Sequence, residues 1–274
     1  MPLNFALNRM CAPHMPLESF AAMAQRLDVR AIEIRNDLDG VEMLDGTDAA
    51  QVGAVARAHG LTIRSINALQ RFDQFDAQRE AEARTLMAYA AACGAQSLVL
   101  CPTNSLRDPR SAAQRQADLQ QALTRLVPLL EAHRLTGLIE PLGFAECAVR
   151  RKALAVDAIE AVGAPACLAL VHDTFHHHLA GDARLFPART GLVHVSGVED
   201  TALAPDAMRD GHRVLVGPGD RLDNTGQLRA LLDAGYAGLV SFEPFADVIG
   251  RAADIEAQLR ASMAHLRAAI GQPG

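Results

Sequence analysis

Short apolar runs alternate with longer segments of helical periodicity from one end of the chain to the other. Eight runs have the length and composition of buried β-strands, and they cover residues 3–8, 31–35, 62–67, 97–101, 136–140, 167–173, 191–196 and 238–243. Between them, apolar residues recur at helical spacing over residues 16–27, 48–59, 78–93, 112–133, 152–162, 225–234 and 253–269. The pattern predicts strands and helices that alternate throughout.

This alternation predicts an α/β fold, and more specifically a single (β/α)8 TIM barrel over residues 1–274. Eight units in 274 residues give about 34 residues per unit, the usual size in such a barrel. A doubly wound open sheet is the structural alternative. It is disfavoured because no GxGxxG loop follows the first strand.

Polar residues stand at the ends of the four apolar runs in the second half of the chain. A buried charge is very costly unless it is paired or binds a metal, and the carboxyl ends of barrel strands open onto one mouth. Two glutamates, an aspartate and a histidine form an oxygen-rich set that suits a divalent cation such as Mn²⁺, Mg²⁺, Co²⁺ or Zn²⁺. The predicted metal ligands, on strands five to eight, are Glu140 in LIEPLGF, Asp173 in LVHDTFHHH, His194 in LVHVSG and Glu243 in VSFEPF.

Asp173 is the predicted ligand with the strongest alternative interpretation. A strand-end aspartate followed by a helix is often the N-cap of that helix, and a helix is expected to begin near Phe175. Three residues beyond Asp173, His176 is placed to reach the barrel mouth and is the predicted contact to a substrate hydroxyl. We expect His177 and His178 to be packing or surface residues, because successive side chains of a helix point about 100° apart.

Other polar residues are weaker candidates. Glu146 and Arg213 lie in loops and could contact a substrate, although either could simply be solvated. The polar residues of the first three strands are expected to support the site rather than to react, with an internal ion pair as one form of that support; these are Asn8, Glu33, Arg35 and Asn67. His172 alternates with Asp173 along its strand and should face the helices.

Composition excludes several function classes. The net charge is −6, and no basic cluster of the kind that binds nucleic acid is apparent. Five cysteines without CxxC spacing indicate reduced thiols of a cytoplasmic protein; no signal sequence or membrane span is apparent. Lys152 is the only lysine and lies in a basic RRK cluster, where we expect it to be solvated, so neither Schiff-base nor P-loop chemistry is indicated.

Five segments resemble the xylose-isomerase-like TIM barrels of the sugar isomerase and epimerase superfamily. They are SINAL, IEPLGFAEC, VHDTFHHHLAGD, HVSGVED with the following HRVLVGPGD, and VSFEPF. The inosose isomerases are the most similar group within it. The resemblance implies one divalent metal held by Glu140, Asp173, His194 and Glu243, with substrate contacts from His176 and Arg213. Glu146 matches a substrate-contacting glutamate of the ketose 3-epimerases.

The expected reaction is the isomerisation of 2-keto-myo-inositol to 1-keto-D-chiro-inositol through a metal-stabilised enediolate, with Glu140 and Glu243 transferring the proton. Epimerisation of a ketose at C3 is the alternative with the same ligands. An abasic-site endonuclease is disfavoured because SINAL and LVLCP supply no further histidines, and a non-catalytic sugar-binding barrel because binding does not need two bases. The resemblance also implies a homo-oligomer.

Overall fold

The computed structural model describes residues 3–271 and confirms the closed barrel predicted from the sequence. Eight parallel strands pair in sequence order, and β1 also pairs with β8 to close the sheet. The strands are β1 (Asn4–Asn8), β2 (Ala31–Arg35), β3 (Thr62–Gln70), β4 (Ser97–Cys101), β5 (Thr136–Ile139), β6 (Leu168–Asp173), β7 (Thr190–Val195) and β8 (Leu239–Phe242).

Helices surround the sheet. They are α1 (Leu17–Arg26), α2 (Ala49–Ala58), α3 (Ala77–Cys93), α4 (Ala112–His133), α5 (Lys152–Ala161), α6 (Thr174–Ala180), α7 (Asn224–Asp233), α8 (Asp247–Gly250) and α9 (Ile255–Ala269). In residues 3–271, no helix combines the length and apolar content that a membrane span needs.

The observed bounds differ little from the predicted ones. β2, β4 and α4 have the predicted bounds, whereas β3 extends three residues further, to Gln70. This extension follows from the sequence, because Ala68 and Leu69 continue the apolar run and are buried. At the end of α3, Gly94 adopts a left-handed conformation with φ of 80°, which a residue without a Cβ reaches at little cost.

Strand alternation separates two apolar layers. The larger lies between the strands and the helices and includes Ile139, Leu170 and Val193. A smaller, separate cluster consists of Ala68, Val99, Cys101, Leu138, Val171 and Leu192. Because successive strand residues face opposite sides, a side chain two positions after an inner apolar residue also points into the barrel.

Candidate metal centre

The four predicted ligands lie together at the mouth of the barrel. Each follows the inner position of its strand by two residues, as Glu140 follows Leu138 and His194 follows Leu192. One donor atom from each residue can be chosen so that all lie within 4.8 Å of one another, and all four residues are buried. This group, Glu140, Asp173, His194 and Glu243, could bind a metal ion.

His194 is oriented by a carboxylate beneath it. Its Nδ1 atom lies 3.0 Å from Oε1 of Glu140 and 3.2 Å from Oε2 of Glu243, while Nε2 lies 3.2 Å from Oε2 of Glu33. An ionised carboxylate can only accept a hydrogen bond, so Nε2 donates to Glu33 and Nδ1 faces the two other glutamates. A metal-binding histidine commonly has such a carboxylate behind it.

Glu33 is held ionised by donors on neighbouring strands. Asn67 donates to it over 2.9 Å, and the hydroxyls of Ser65 and Ser241 donate as well. Burial alone raises the pKa of Glu33, but the charge and hydrogen bond of His194 and the two hydroxyls outweigh it and hold that pKa well below its ordinary value. The carboxylate therefore stays available to His194.

Two arginines neutralise part of the charge at the mouth. Arg35 donates to Oε1 of Glu243 over 2.9 Å, and Arg213 donates to Oε2 of Glu243 over 3.0 Å and to Asp173 over 2.6 Å. Asn8 adds a bond of 3.1 Å to Oε1 of Glu243. Although burial raises the pKa of Glu243, the charge and hydrogen bond of His194 and the two guanidinium charges lower it to about 2.

The buried charges at the mouth do not balance. Four buried carboxylates (Glu33, Glu140, Asp173, Glu243) and two buried guanidinium groups (Arg35, Arg213) leave two negative charges if His194 is neutral. Burial opposes a charge on His194, yet the charges of Glu243, Glu33 and Glu140 raise its pKa well above the ordinary value. A divalent cation would neutralise the excess and displace that proton, so the donor set fits such an ion.

Asp173 also caps α6, as the alternative interpretation predicted. Its Oδ1 atom accepts a hydrogen bond of 2.9 Å from the backbone amide of His176, while Oδ2 faces Arg213. The two functions use different oxygens. Capping therefore does not remove Asp173 from the ligand group.

A cavity of about 380 Å³ is lined by two of the four residues, Glu140 and Glu243. His176 and Arg213 line it, and Nδ1 of His176 has no hydrogen-bond partner among the described residues. Arg213 is only 1% exposed and lies between two aromatic rings, with its guanidinium carbon 5.1 Å from the centre of Phe175 and 4.6 Å from that of Phe245. Both predicted substrate contacts therefore face the cavity or its wall.

Glu146 lies elsewhere. It lines a neighbouring cavity of about 230 Å³ together with Arg150 and Arg209, and the two cavities share the ring of Phe144. The structure therefore brings His176 and Arg213 to the metal-ligand group but leaves Glu146 behind Phe144.

Sequence reasoning missed Cys101 at the mouth of the barrel. Cys101 lines the cavity, with its thiol sulfur 3.6 Å from Oε2 of Glu140. Burial, followed by the charges of Glu140 and Glu243, raises the pKa of this thiol well above its ordinary value, so it is a protonated donor. Its position at the end of β4 was the only available signal. Arg35 was expected in an internal ion pair, and its carboxylate partners are Asp37 and Glu243.

Behind β6 the structure corrects one expectation. Lys152 was expected to be solvated, which is wrong, because it is 4% exposed. Its Nζ atom lies 2.7 Å from Nδ1 of His177. The start of α5 is therefore packed against α6, which the local basic composition did not indicate. His172 faces outward, as predicted, and is bonded to Gln227 of α7.

Comparisons with known proteins agree with this architecture. The sequence profile of the xylose isomerase-like TIM barrel family matches residues 21–269. A xylose isomerase domain-containing protein from Salmonella typhimurium LT2 is 33% identical, with 96% of this chain and 97% of that chain covered and a TM-score of 0.89. A comparison with the curated proteins found no match.

Two other solved structures share the fold at lower identity. The IolI protein, described with a bound zinc atom, is 19% identical, with 98% of each chain covered and a TM-score of 0.86. D-psicose 3-epimerase from Clostridium cellulolyticum H10, described with D-tagatose, is 14% identical, with 98% of this chain and 99% of that chain covered and a TM-score of 0.74.

Proposed function

The chain belongs to the xylose isomerase-like TIM barrel family, and from that premise we propose that it is a divalent-metal-dependent isomerase of a cyclic keto-polyol. The proposed reaction converts 2-keto-myo-inositol to 1-keto-D-chiro-inositol. One observation carries the proposal: Glu140 and Glu243, which directly follow two different strands, border one cavity and both contact Nδ1 of His194.

The proposed metal ligands are Glu140, Asp173, His194 and Glu243. Their oxygen-rich chemistry and the two unbalanced negative charges support this assignment, as does the zinc described for the IolI protein. Mn²⁺, Mg²⁺, Co²⁺ and Zn²⁺ all suit such a donor set. When bound, the metal would act as a Lewis acid on the carbonyl and adjacent hydroxyl of the substrate.

The two glutamates are proposed to move the proton, and their surroundings favour different tasks. Glu243 accepts hydrogen bonds from Arg35 and Arg213, which stabilise its anion and weaken it as a base. The carboxylate of Glu140 contacts Nδ1 of His194 and the weak thiol donor of Cys101. We therefore assign removal of the C–H proton to Glu140. Glu243 would take up the proton of the adjacent hydroxyl and deliver it to the neighbouring carbon, while Glu140 returns its proton to the former carbonyl oxygen.

Substrate recognition is assigned to the walls of the cavity. Nδ1 of His176, which has no hydrogen-bond partner among residues 3–271, is proposed to bond a hydroxyl. Arg213 is proposed to hold a substrate oxygen while it also binds Glu243. Phe144 and Phe245 form an apolar wall, which suits the C–H face of a six-membered ring. Glu146 is proposed to contact only a part of the substrate that extends past Phe144.

Epimerisation of a ketose at C3 is the second candidate. The structural similarity to a D-psicose 3-epimerase described with D-tagatose favours it, and the same pair of glutamates could exchange a proton at one carbon. The two reactions differ in where the proton returns. A homo-oligomeric state and a cytoplasmic location are still predictions from the sequence.

Hydrogen exchange distinguishes the candidates. Metal-supplemented protein in D₂O would be incubated with 2-keto-myo-inositol, and in parallel with fructose and psicose, and followed by NMR. We expect deuterium in the inosose together with the spectrum of the chiro-inosose. Exchange in the ketohexoses alone would replace the isomerase with a 3-epimerase. No exchange in any tube, with metal shown to be bound, would contradict both candidates.

A further inference from the structure

A second polar cluster lies on the outer side of β6. We call Lys152, His172, His177 and Gln227 the outer cluster. Nζ of Lys152 lies 2.7 Å from Nδ1 of His177, the rings of His177 and His172 are 4.8 Å apart, and Nε2 of His172 lies 2.8 Å from Oε1 of Gln227. These contacts join α5, α6, β6 and α7.

The donor and acceptor of each hydrogen bond in the outer cluster follow from its two terminal residues, Gln227 and Lys152. Nε2 of Gln227 donates to the carbonyls of Thr174 and Leu222, so its Oε1 accepts from Nε2 of His172. At the other end, the protonated form of Lys152 has donors only, so in that form Nδ1 of His177 accepts from Lys152 and the ring is neutral. Lys152 thus sets the orientation of the His177 ring.

Lys152 occupies a position that is costly for an amine. Among residues 3–271, no carboxylate lies at ion-pair distance from its Nζ atom; its hydrogen-bond partner is an imidazole. Burial lowers the pKa of Lys152 to about 7, against the opposing charges of Asp182 and Asp173. Burial, followed by the charge of Lys152, lowers the pKa of His177 to about 4. An apolar side chain would be less costly here.

The outer cluster lies directly behind the metal-ligand group. His172 precedes Asp173 on β6, and His177 follows His176 on α6, so each outer histidine is adjacent in sequence to a residue of the mouth. Asp173 is itself bonded to the first turn of α6 through the amide of His176. Any rotation of that turn would move His176 and disturb its bond to Asp173.

We propose that Lys152 is a positioning residue, which fixes the first turn of α6 through His177 and so directs Asp173 and His176 toward the cavity. The inference rests on the proposed metal site of the preceding subsection. It explains why an amine without a carboxylate partner stands at a position where burial opposes it. It assigns to the single lysine of the chain a role at the site without contact with substrate or metal.

The test compares metal binding with stability in three variants. Lys152→Met keeps the aliphatic stem, His177→Phe keeps the aromatic contact with His172, and Arg151→Met is the control, since Arg151 is the exposed neighbour with the same charge. Titration of metal-free protein with Co²⁺, followed by its absorption spectrum, gives affinity and coordination without turnover. We expect about tenfold weaker Co²⁺ binding for Lys152→Met and His177→Phe, and wild-type binding for Arg151→Met.

Two further measurements distinguish a positioning role of Lys152 from a contribution to overall stability. Lys152→Met and His177→Phe remove the same hydrogen bond, the one between Lys152 and His177. The double variant should therefore bind Co²⁺ no more weakly than either single variant. Thermal unfolding of Lys152→Met at pH 7 should occur at the wild-type temperature or above it, since an unfavourably buried amine is gone. Weaker binding without lower stability is therefore the expected combination.

The opposing outcomes are distinct. Wild-type Co²⁺ affinity and spectrum in Lys152→Met would overturn the inference and leave the metal site standing. A parallel loss of stability and affinity would assign Lys152 a merely structural role, which also overturns it. If the wild-type protein itself binds no Co²⁺, the proposed metal site fails, and the positioning role fails with it.

Discussion

Two consecutive residues of β6 point into opposite environments. Asp173 faces the inner group of carboxylates and arginines, where two negative charges are left over. His172 faces the outer cluster, where one imidazole is hydrogen-bonded to an amine and the other to Gln227, with no carboxylate of residues 3–271 bonded to either ring. One strand thus separates a site with an excess of negative charge from a site in which burial makes a positive charge unfavourable. The inner group can gain free energy from a cation, whereas the outer cluster loses free energy by holding one.

The largest expected effect is a loss of turnover when either proposed proton-transfer residue of the inner group is replaced. Glu140→Gln or Glu243→Gln should lower kcat about 10³-fold, because an amide cannot accept the substrate proton. The rate of deuterium incorporation into the inosose measures this effect. Glu131→Gln, a change at an exposed residue of α4, is the matched control. Turnover within tenfold of wild type in both variants would contradict the assignment.

Removal of metal tests the charge imbalance of the inner group. Metal at a hundred times its Kd should raise the free energy of unfolding by about 2.7 kcal/mol relative to chelator-treated protein. Denaturant unfolding in the two conditions gives this difference. The same comparison in Lys152→Met should still show stabilisation, since the outer cluster does not contact the ion. Equal stability with and without metal would be incompatible with the site.

Glu33→Gln tests whether the residue behind His194 contributes to metal binding by the inner group. Loss of the anion that holds Nε2 of His194 should weaken metal binding about 10- to 100-fold. Isothermal titration of metal-free protein with Mn²⁺ or Zn²⁺ provides the affinity. Glu42→Gln is the control, because Glu42 is also buried but pairs with Arg9 away from the ligand group; it should lose stability and keep metal affinity.

The outer cluster should be visible in the pH dependence of stability. The pKa of Lys152 is about 7 in the folded protein and about 10.4 in an unfolded chain. Between these values the unfolded state binds more protons, so the free energy of unfolding should rise with pH, by up to about 1.4 kcal/mol per pH unit. Denaturant unfolding of wild type and Lys152→Met between pH 7 and 9 should give a steeper rise for wild type. Parallel curves would count against the low pKa.

The smallest expected effect concerns Glu146. Its position behind Phe144 limits it to contact with the outer part of a substrate, so Glu146→Gln should raise KM by only about threefold and leave kcat unchanged. A fall of kcat by an order of magnitude would instead place Glu146 at the reacting carbon. Initial rates over a range of inosose concentrations distinguish these outcomes.

Strand alternation was the part of the structure that the sequence could predict. The period of two placed Asp173 inward and His172 outward, and the recurrence of polar residues at strand ends indicated a common mouth. Local patterns do not contain the register between distant strands, however. The bonds from Ser65 and Ser241 to Glu33 depend on how β2 pairs with β3 and how β8 closes on β1, and serine on a strand carries no signal of such a partner.

The wrong prediction has a similar cause. Lys152 follows two arginines, and three basic residues at a helix start usually face water. The side chain is buried because α6 packs beside α5, and the sequence gives no measure of that approach. Arg213 was considered as a solvated loop residue for the same reason, yet two aromatic rings and three carboxylates enclose it.

The pairing of β1 with β8 has a consequence for the order of events during synthesis. Glu33 and its donor Ser241 are separated by 208 residues, and Asn8 and Glu243 by 235 residues. Contacts of such high sequence separation are slow to form, and a ribosome delivers the β8 segment only after the seven other strands. A complete metal site therefore requires the closed ring, because a nascent chain that stops before Glu243 lacks one of the four proposed ligands.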